Sequence, residues 1–340
     1  MTDMLEIDRE LADLLDSVFG EYAESGERAP GELDRELWNR LDGLGLVNLT
    51  GDEAHGGSGA GWAEAAALIS AAARHGVRLP LAEHDLLAEW LRQTTELGGP
   101  TAVRTACVLD AAGRADAVPW LSAVERAVLI RPVGDGYRAA DIAVAELSVT
   151  RGANAVGEPR DGVVVDLAAL DGVEVSPEMV RQFERRAAMI RGVQVCAALD
   201  RTLAFAVEHV RSREQFGRPI AAFQAVQSQL ADIAGEAALA RAATETALLR
   251  AIASDWSAPD LDFLVAVARS CAGHAASVVV RGAHQVHGAI GTTREHRLHT
   301  STRAAMAWRS EYGSVRFWDE RVTEAALHAG ATGLWQLIAG

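Results

Sequence analysis

From residue 177 to about 338 the sequence is written in long helical periods joined by short turns, and no other feature constrains the fold as strongly. One helix is expected over 178–212, opened by Pro177. Proline suits a first helical position because the N–H it lacks would have no partner there. A second helix is expected over 223–253, after a turn marked by Gly217 and Pro219. The string SAPD (257–260) initiates a third, which runs to about 283. The string GAIG (288–291) turns the chain into a final helical stretch. Apolar-faced helices of this length need one another to bury their stripes, so the reading is an antiparallel four-helix bundle.

The rest of the chain divides in two. Residues 1–98 read as helical. Met4, Ile7, Leu11, Leu14 and Val18 fall on one helical stripe, and a second helix over 32–44 stops at Gly45. A glycine-rich connector (45–61) leads to an alanine-rich helix over 62–75; Pro80 breaks it, and helix resumes over 85–95. From 99 to 176 the texture changes to short β-type runs: TACVLD (105–110), RAVLI (126–130), AVAEL (143–147) and GVVVDL (162–167). Turn signals such as PVGDGY (132–137) separate them. Whether that sheet is parallel or antiparallel stays open. The expected fold is mainly α with a small central β domain, divided as 1–98, 99–176 and 177–340.

A formal net charge of -15 argues against nucleic acid as a partner, because binding a phosphate backbone needs positive surface. The 32 basic residues are all arginine, which excludes a lysine Schiff base. Cys107, Cys196 and Cys271 form no CxxC pair, so neither a zinc knuckle nor a redox dithiol is expected. The acidic, amphipathic start lacks the basic opening of a secretory signal. No stretch is read as approaching the roughly 18 apolar residues of a membrane span. The cytoplasm is the expected address.

Two strings carry chemistry. Arg213-Glu-Gln-Phe-Gly-Arg-Pro-Ile220, followed by Phe223, Gln224 and Gln227, stands between two long helices. A guanidinium before a turn and a helix N-terminus after it can grip a pyrophosphate. The alternative is a plain helical hairpin capped by Gly217 and Pro219. The second string is Gln285-Val-His-Gly-Ala-Ile-Gly291. Together, RxxFGRPIxxFQxxQ and this glycine segment resemble the acyl-CoA dehydrogenase family. The spacing of the strings, the segment LWNRLDGLGLVNLTGDEAHGGSG (37–59) and the helix–β–helix order extend the resemblance over nearly the whole chain.

The resemblance implies FAD at a subunit interface, with this bundle holding the pyrophosphate half of a neighbour's cofactor. Arg213 would contact pyrophosphate, Phe216 would pack on the cofactor, and Gln224 would support the same region, with Gln215 counted in that site. Gln285, Val286, Gly288 and Gly291 would bring backbone close to the dinucleotide. Ala289 departs from the family's second glycine.

The family's Thr-Glu-Pro-x-x-Gly-Ser loop, which holds the flavin ring, has no counterpart in 105–130. Trp120 lies in that region and reads as a core residue. The family's catalytic glutamate sits at one of two places, occupied here by Tyr312 and Ala187. Glu311, one residue early, is the candidate base; its other reading is a salt-bridged carboxylate. Glu184 lies one helical turn before Ala187. His284-x-x-His287 and His296-x-x-His299 have the spacing of ligand pairs without a matching further ligand, and no metal is expected. His287 is read as bonding to the cofactor or lining a turn.

The resemblance therefore implies a subunit of an FAD-dependent acyl-CoA dehydrogenase, paired with a homologous sister as α2β2. Actinobacterial enzymes of steroid side-chain breakdown are similar. An acyl-CoA thioester is the implied substrate, and an electron-transfer flavoprotein the implied acceptor. The alternatives are a self-sufficient homotetramer using Glu311, a flavin oxidase or monooxygenase on the same fold, and a non-catalytic structural subunit.

Overall fold

The computed structural model describes residues 7–25 and 31–339. They group into two compact units, Ile7–Ala187 and the chain from Ala188 onward.

The first unit opens with helix α1 (Arg9–Glu24), whose Asp8 cap accepts from the Glu10 amide. Its inward face is Leu15, Val18 and Phe19, with Leu11 and Tyr22 beside them. The expected stripe is thus corrected: Leu14 is 37% exposed, and Met4 lies outside the described residues. Spacing alone admits either face, and the bulk of Phe19 and Tyr22 decides between them. Helix α2 (Arg35–Gly43) is capped by Asp34 and ends before Gly45, whose φ is +72°. Helix α3 (Trp62–His75) has the expected bounds and stops at Gly76 in the left-handed conformation. Beyond Pro80 the chain forms a π-helical segment, Glu83–Glu89, that is buried throughout and runs into α4 (Trp90–Thr94).

Seven strands follow: β1 (Arg104–Val108), β2 (Arg114–Pro119), β3 (Arg126–Val133), β4 (Gly136–Ala143), β5 (Ser148–Thr150), β6 (Arg160–Val164) and β7 (Val173–Val175). One sheet has the order β1-β3-β4-β7, the other β2-β6-β5. β1 and β3 pair in parallel, while the other pairs among these strands are antiparallel. The run AVAEL is not a strand; Val144–Glu146 closes into a 3-10 turn. Trp120, 2% exposed, packs into the helical core with Trp38, Val103 and Val124, as its sequence reading expects.

Helix α5 (Pro177–Ser212) belongs to the first unit up to Ala187. The second unit continues through a two-residue hairpin, β8 (Glu214–Gln215) and β9 (Arg218–Pro219). Then come α6 (Gln224–Ala253), α7 (Leu261–His287), a 3-10 turn (Gly288–Thr292), α8 (Leu298–Trp308) and α9 (Val315–Ala339). α7 packs on α6, α8 and α9. A Cβ on Gly282 would lie 2.8 Å from Ile233 Cγ1, so glycine lets α6 and α7 approach closely there. By length and composition alone Leu261–Thr292 could cross a membrane, with mean hydropathy 1.6 over an 18-residue window. Half of that window is buried within the fold, as in a bundle's central helix.

Candidate functional site

The two motif strings, distant in sequence, converge on one hydrophobic cluster in the second unit. Phe205, Ala206 and Val210 from the end of α5 pack with Ala283 and Val286 of α7 and with Leu298 of α8. Ile220, Ala221, Val226 and Leu230, from the turn after the hairpin and the start of α6, lie against them. Burying these side chains fixes the Arg213 hairpin beside the C-terminus of α7.

Arg213 follows the last turn of α5. Its N–H donates to His209 O at 2.8 Å, and its carbonyl accepts from Ile220 N at 2.8 Å. Its side chain is exposed, like those of Gln215 and Gln224. Between the hairpin strands, Phe216 (φ +53°) and Gly217 (φ +76°) form the two-residue turn. Phe216 is 91% exposed at the tip, edge-on to Phe223 at 6.0 Å. Phe223 is the N-cap of α6 and offers no side-chain cap. The 30-residue helix thus starts without a side-chain cap just after the hairpin, with the positive end of its dipole there, while the Val226 and Gln227 amides bond to the Phe223 carbonyl.

On the facing string, Gln285 and Gly288 are exposed. Gly288 caps α7 with φ +61° and ψ -141°, a conformation open to glycine, and a Cβ there would meet nothing within 4 Å. Two positions of this string are buried. The Val286 side chain is 7% exposed and belongs to the core cluster, which leaves only its backbone to face a surface ligand. Gly291 is buried, and a Cβ there would come within 2.7 Å of His287 Cβ, so packing on His287 already calls for glycine.

An exposed arginine, an uncapped helix start, an exposed ring and open space over a glycine fit the phosphate-bearing part of a dinucleotide such as FAD. Residues 105–130, by contrast, form β1, β2, a 3-10 turn and the start of β3. They carry none of the family string that holds a flavin ring.

Glu311 is engaged within the fold. Arg191 Nε donates to Glu311 Oε2 at 2.6 Å, and Arg191 Nη1 donates to Gln194 at 2.7 Å. The Arg191 side chain is 1% exposed and that of Glu311 14%. Arg269, also buried, donates to the carbonyls of Glu311 at 2.8 Å and Arg309 at 3.2 Å. Burial, and then the charge of Arg191, push Arg269 down to about 9, while Glu311 acts in the opposite sense. Tyr312 takes φ +52°, with the Arg191 guanidinium 5.3 Å from its ring centroid. Glu311 is thus held as the counter-ion of a buried arginine. Ala187 is buried and Glu184 exposed.

Two polar clusters were not anticipated from sequence. In the first unit the π-helical segment buries Asp85, which accepts from the Thr50 amide (3.1 Å) and hydroxyl (2.8 Å). Burial pushes its carboxyl up to about 7. Beside it, Arg104 is paired with Glu89 at 2.9 Å and Asp141 at 3.0 Å. In the second unit His209 stacks on His287 with centroids 4.5 Å apart, and His296 meets His287 edge-on at 4.6 Å. No group of three metal-ligating side chains suited to an ion occurs among the described residues.

Known proteins match this architecture. The model for the acyl-CoA dehydrogenase N-terminal domain matches residues 3–96, and that for the C-terminal domain residues 179–315. The acyl-CoA dehydrogenase FadE34 of Mycobacterium tuberculosis is 30% identical over 306 residues, spanning 85% of this chain and 42% of its own length. The chain thus spans less than half of that relative. Among solved structures, the ChsE4-ChsE5 complex from Mycobacterium tuberculosis superposes with a TM-score of 0.82 at 21% identity, covering 97% of this chain and 99% of that one. A Tcur3481-Tcur3483 steroid ACAD variant superposes with a TM-score of 0.77 at 22% identity, covering 95% and 98%. At such identities these two establish the fold alone. With both domain models matched in order around a small β region, the chain belongs to the acyl-CoA dehydrogenase family.

Proposed function

We propose that this chain is one subunit of a heteromeric FAD-dependent acyl-CoA dehydrogenase and lends its Arg213–Gln285 surface to a cofactor whose ring is held by a homologous sister. The observation that carries this reading is an asymmetry. The phosphate-side surface is assembled and exposed, while Glu311 is tied to Arg191 and the ring-binding string is missing. The paired chains named in the two structural matches support a sister subunit, and the word steroid in one of them supports a bulky acyl-CoA substrate.

In this assembly Arg213 neutralises pyrophosphate charge, the N-terminus of α6 adds its dipole, and Phe216 covers part of the dinucleotide. Gly288 admits it without a Cβ in the way. Bound FAD supplies hydride acceptance in an α,β-dehydrogenation. The carboxylate that takes the α-proton comes from the sister. An electron-transfer flavoprotein would be the electron acceptor, and the cytoplasm the site of action.

Acceptor-coupled dehydrogenation tests this reading. The chain alone gives no turnover with any acyl-CoA, and the co-expressed pair turns over. Equal turnover by the isolated chain would replace the heteromer with a self-sufficient homotetramer.

A further inference from the structure

The imidazoles of His209, His287 and His296 sit where the two motif strings meet. His209 lies on the last full turn of α5, and its carbonyl takes the Arg213 N–H at 2.8 Å. His287 immediately precedes Gly288. The two rings are stacked, 4.5 Å between centroids and 21° between planes. His296 closes the group from the segment before α8, edge-on at 4.6 Å to His287 and 6.3 Å to His209. The three rings therefore join the hairpin side of the cradle to its glycine side.

The hydrogen bonds fix the protonation of two rings. His287 Nδ1 lies 2.7 Å from Ala283 O, and a carbonyl only accepts, so the proton is on Nδ1. That leaves the lone pair on Nε2, which is buried and has no hydrogen-bond partner among the described residues. His296 Nδ1 accepts the Leu298 N–H at 3.1 Å, at the first residue of α8. Adding a proton to that nitrogen would destroy the bond. The His296 bond therefore requires a neutral ring, while for His287 the bond sets the tautomer and burial disfavours a second proton.

We propose that His209, His287 and His296 form a neutral imidazole clasp that positions the Arg213 hairpin against the Gly288 turn, and that the clasp opens when protons are taken up. A second charge within 5–6 Å in a partly dry site repels the first. The surrounding charges reinforce this. Arg213 faces His209, His284 faces His287, and His299 faces His296; all add positive potential. Glu208, beside His296, opposes them. Phe205 meets His296 at 5.5 Å and carries the Arg201 guanidinium 4.1 Å from its own ring. Burial holds all three imidazoles below the ordinary histidine value, His287 down to about 4. The clasp is therefore closed at neutral pH and opens in acid. That the clasped surface is a cofactor cradle rests on the proposed function; the clasp itself does not.

Hydrogen–deuterium exchange of the full, cofactor-free chain tests it. After correction for intrinsic exchange rates, segments 205–224 and 283–298 should exchange at least tenfold faster at pH 5 than at pH 7.5, while 62–75 changes less than threefold. In His209→Phe, which keeps an aromatic ring but cannot take a proton, the acid effect should be clearly smaller than in wild type, with His287 and His296 supplying what remains. His287→Gln should show fast exchange in both segments already at pH 7.5. Uniform acid-induced exchange across the chain, or an undiminished acid effect in His209→Phe, overturns the clasp. Neither result bears on flavin binding, which is measured separately.

Discussion

Replacing Glu311 by glutamine removes a negative charge from beside a guanidinium that is 1% exposed. The amide can still accept from Arg191, but it no longer offsets the charge. Breaking one partner of a buried pair costs about 3–5 kcal/mol. Glu311 is slightly open to solvent and the hydrogen bond is retained, so about 3 kcal/mol is expected. At roughly 2–4 °C per kcal/mol for a unit of this size, the melting temperature falls by about 6–12 °C. Turnover per bound flavin in the co-expressed complex should stay within about tenfold of wild type, because losing a true base costs around 10²–10⁴-fold. Differential scanning calorimetry and acceptor-coupled assays at equal flavin content give the two readouts. The double variant Arg191→Met/Glu311→Leu should recover part of the loss, since an apolar pair needs no counter-ion. An unchanged melting temperature with abolished turnover would refute the structural role and make Glu311 the base.

Three further outcomes follow from single positions. Arg213→Ala should weaken FAD binding to the complex about ten- to hundredfold, the equivalent of roughly 1.5–3 kcal/mol for a charge-assisted contact, and Arg213→Lys should restore only part; flavin titration reads both. Asp85 keeps its proton in the folded chain up to about pH 7, whereas the unfolded chain releases it near the ordinary 3.8. Stability should therefore fall as pH rises through that window, by up to about 1.4 kcal/mol per pH unit, and Asp85→Asn should remove the slope in urea titrations at several pH values. Gly291→Ala forces a Cβ to within 2.7 Å of His287 Cβ and should cost about 1–3 kcal/mol, read by the same urea titrations.

Helices were legible where period and punctuation agreed. The bounds of α3 follow from its alanine-rich run and Gly76, and α5 and α6 from the turn at Gly217 and Pro219. Legibility failed where packing chose between equal local options. Leu14 and Leu15 both fit a helical stripe, and the core takes Leu15. AVAEL alternates like a strand yet closes into a turn, and β2 hides behind Pro119 and an irregularity between Ala115 and Val118. The exposed residues around Arg213 and Gln285 could be singled out because their strings are local. The pairing of Arg191 with Glu311 spans 120 positions, and a π-helical turn leaves no periodic mark, so only the folded chain reveals them.

In the proposed assembly the Arg213–Gln285 surface is completed as a cofactor site by another subunit. Flavin absorbance per mole of chain, measured after expression alone and after co-expression with a homologous sister, tests it most directly. The chain alone should be colourless and, with the sister, should form a yellow complex of equal stoichiometry holding one FAD per pair. A stable homotetramer of this chain carrying one FAD per subunit would contradict it.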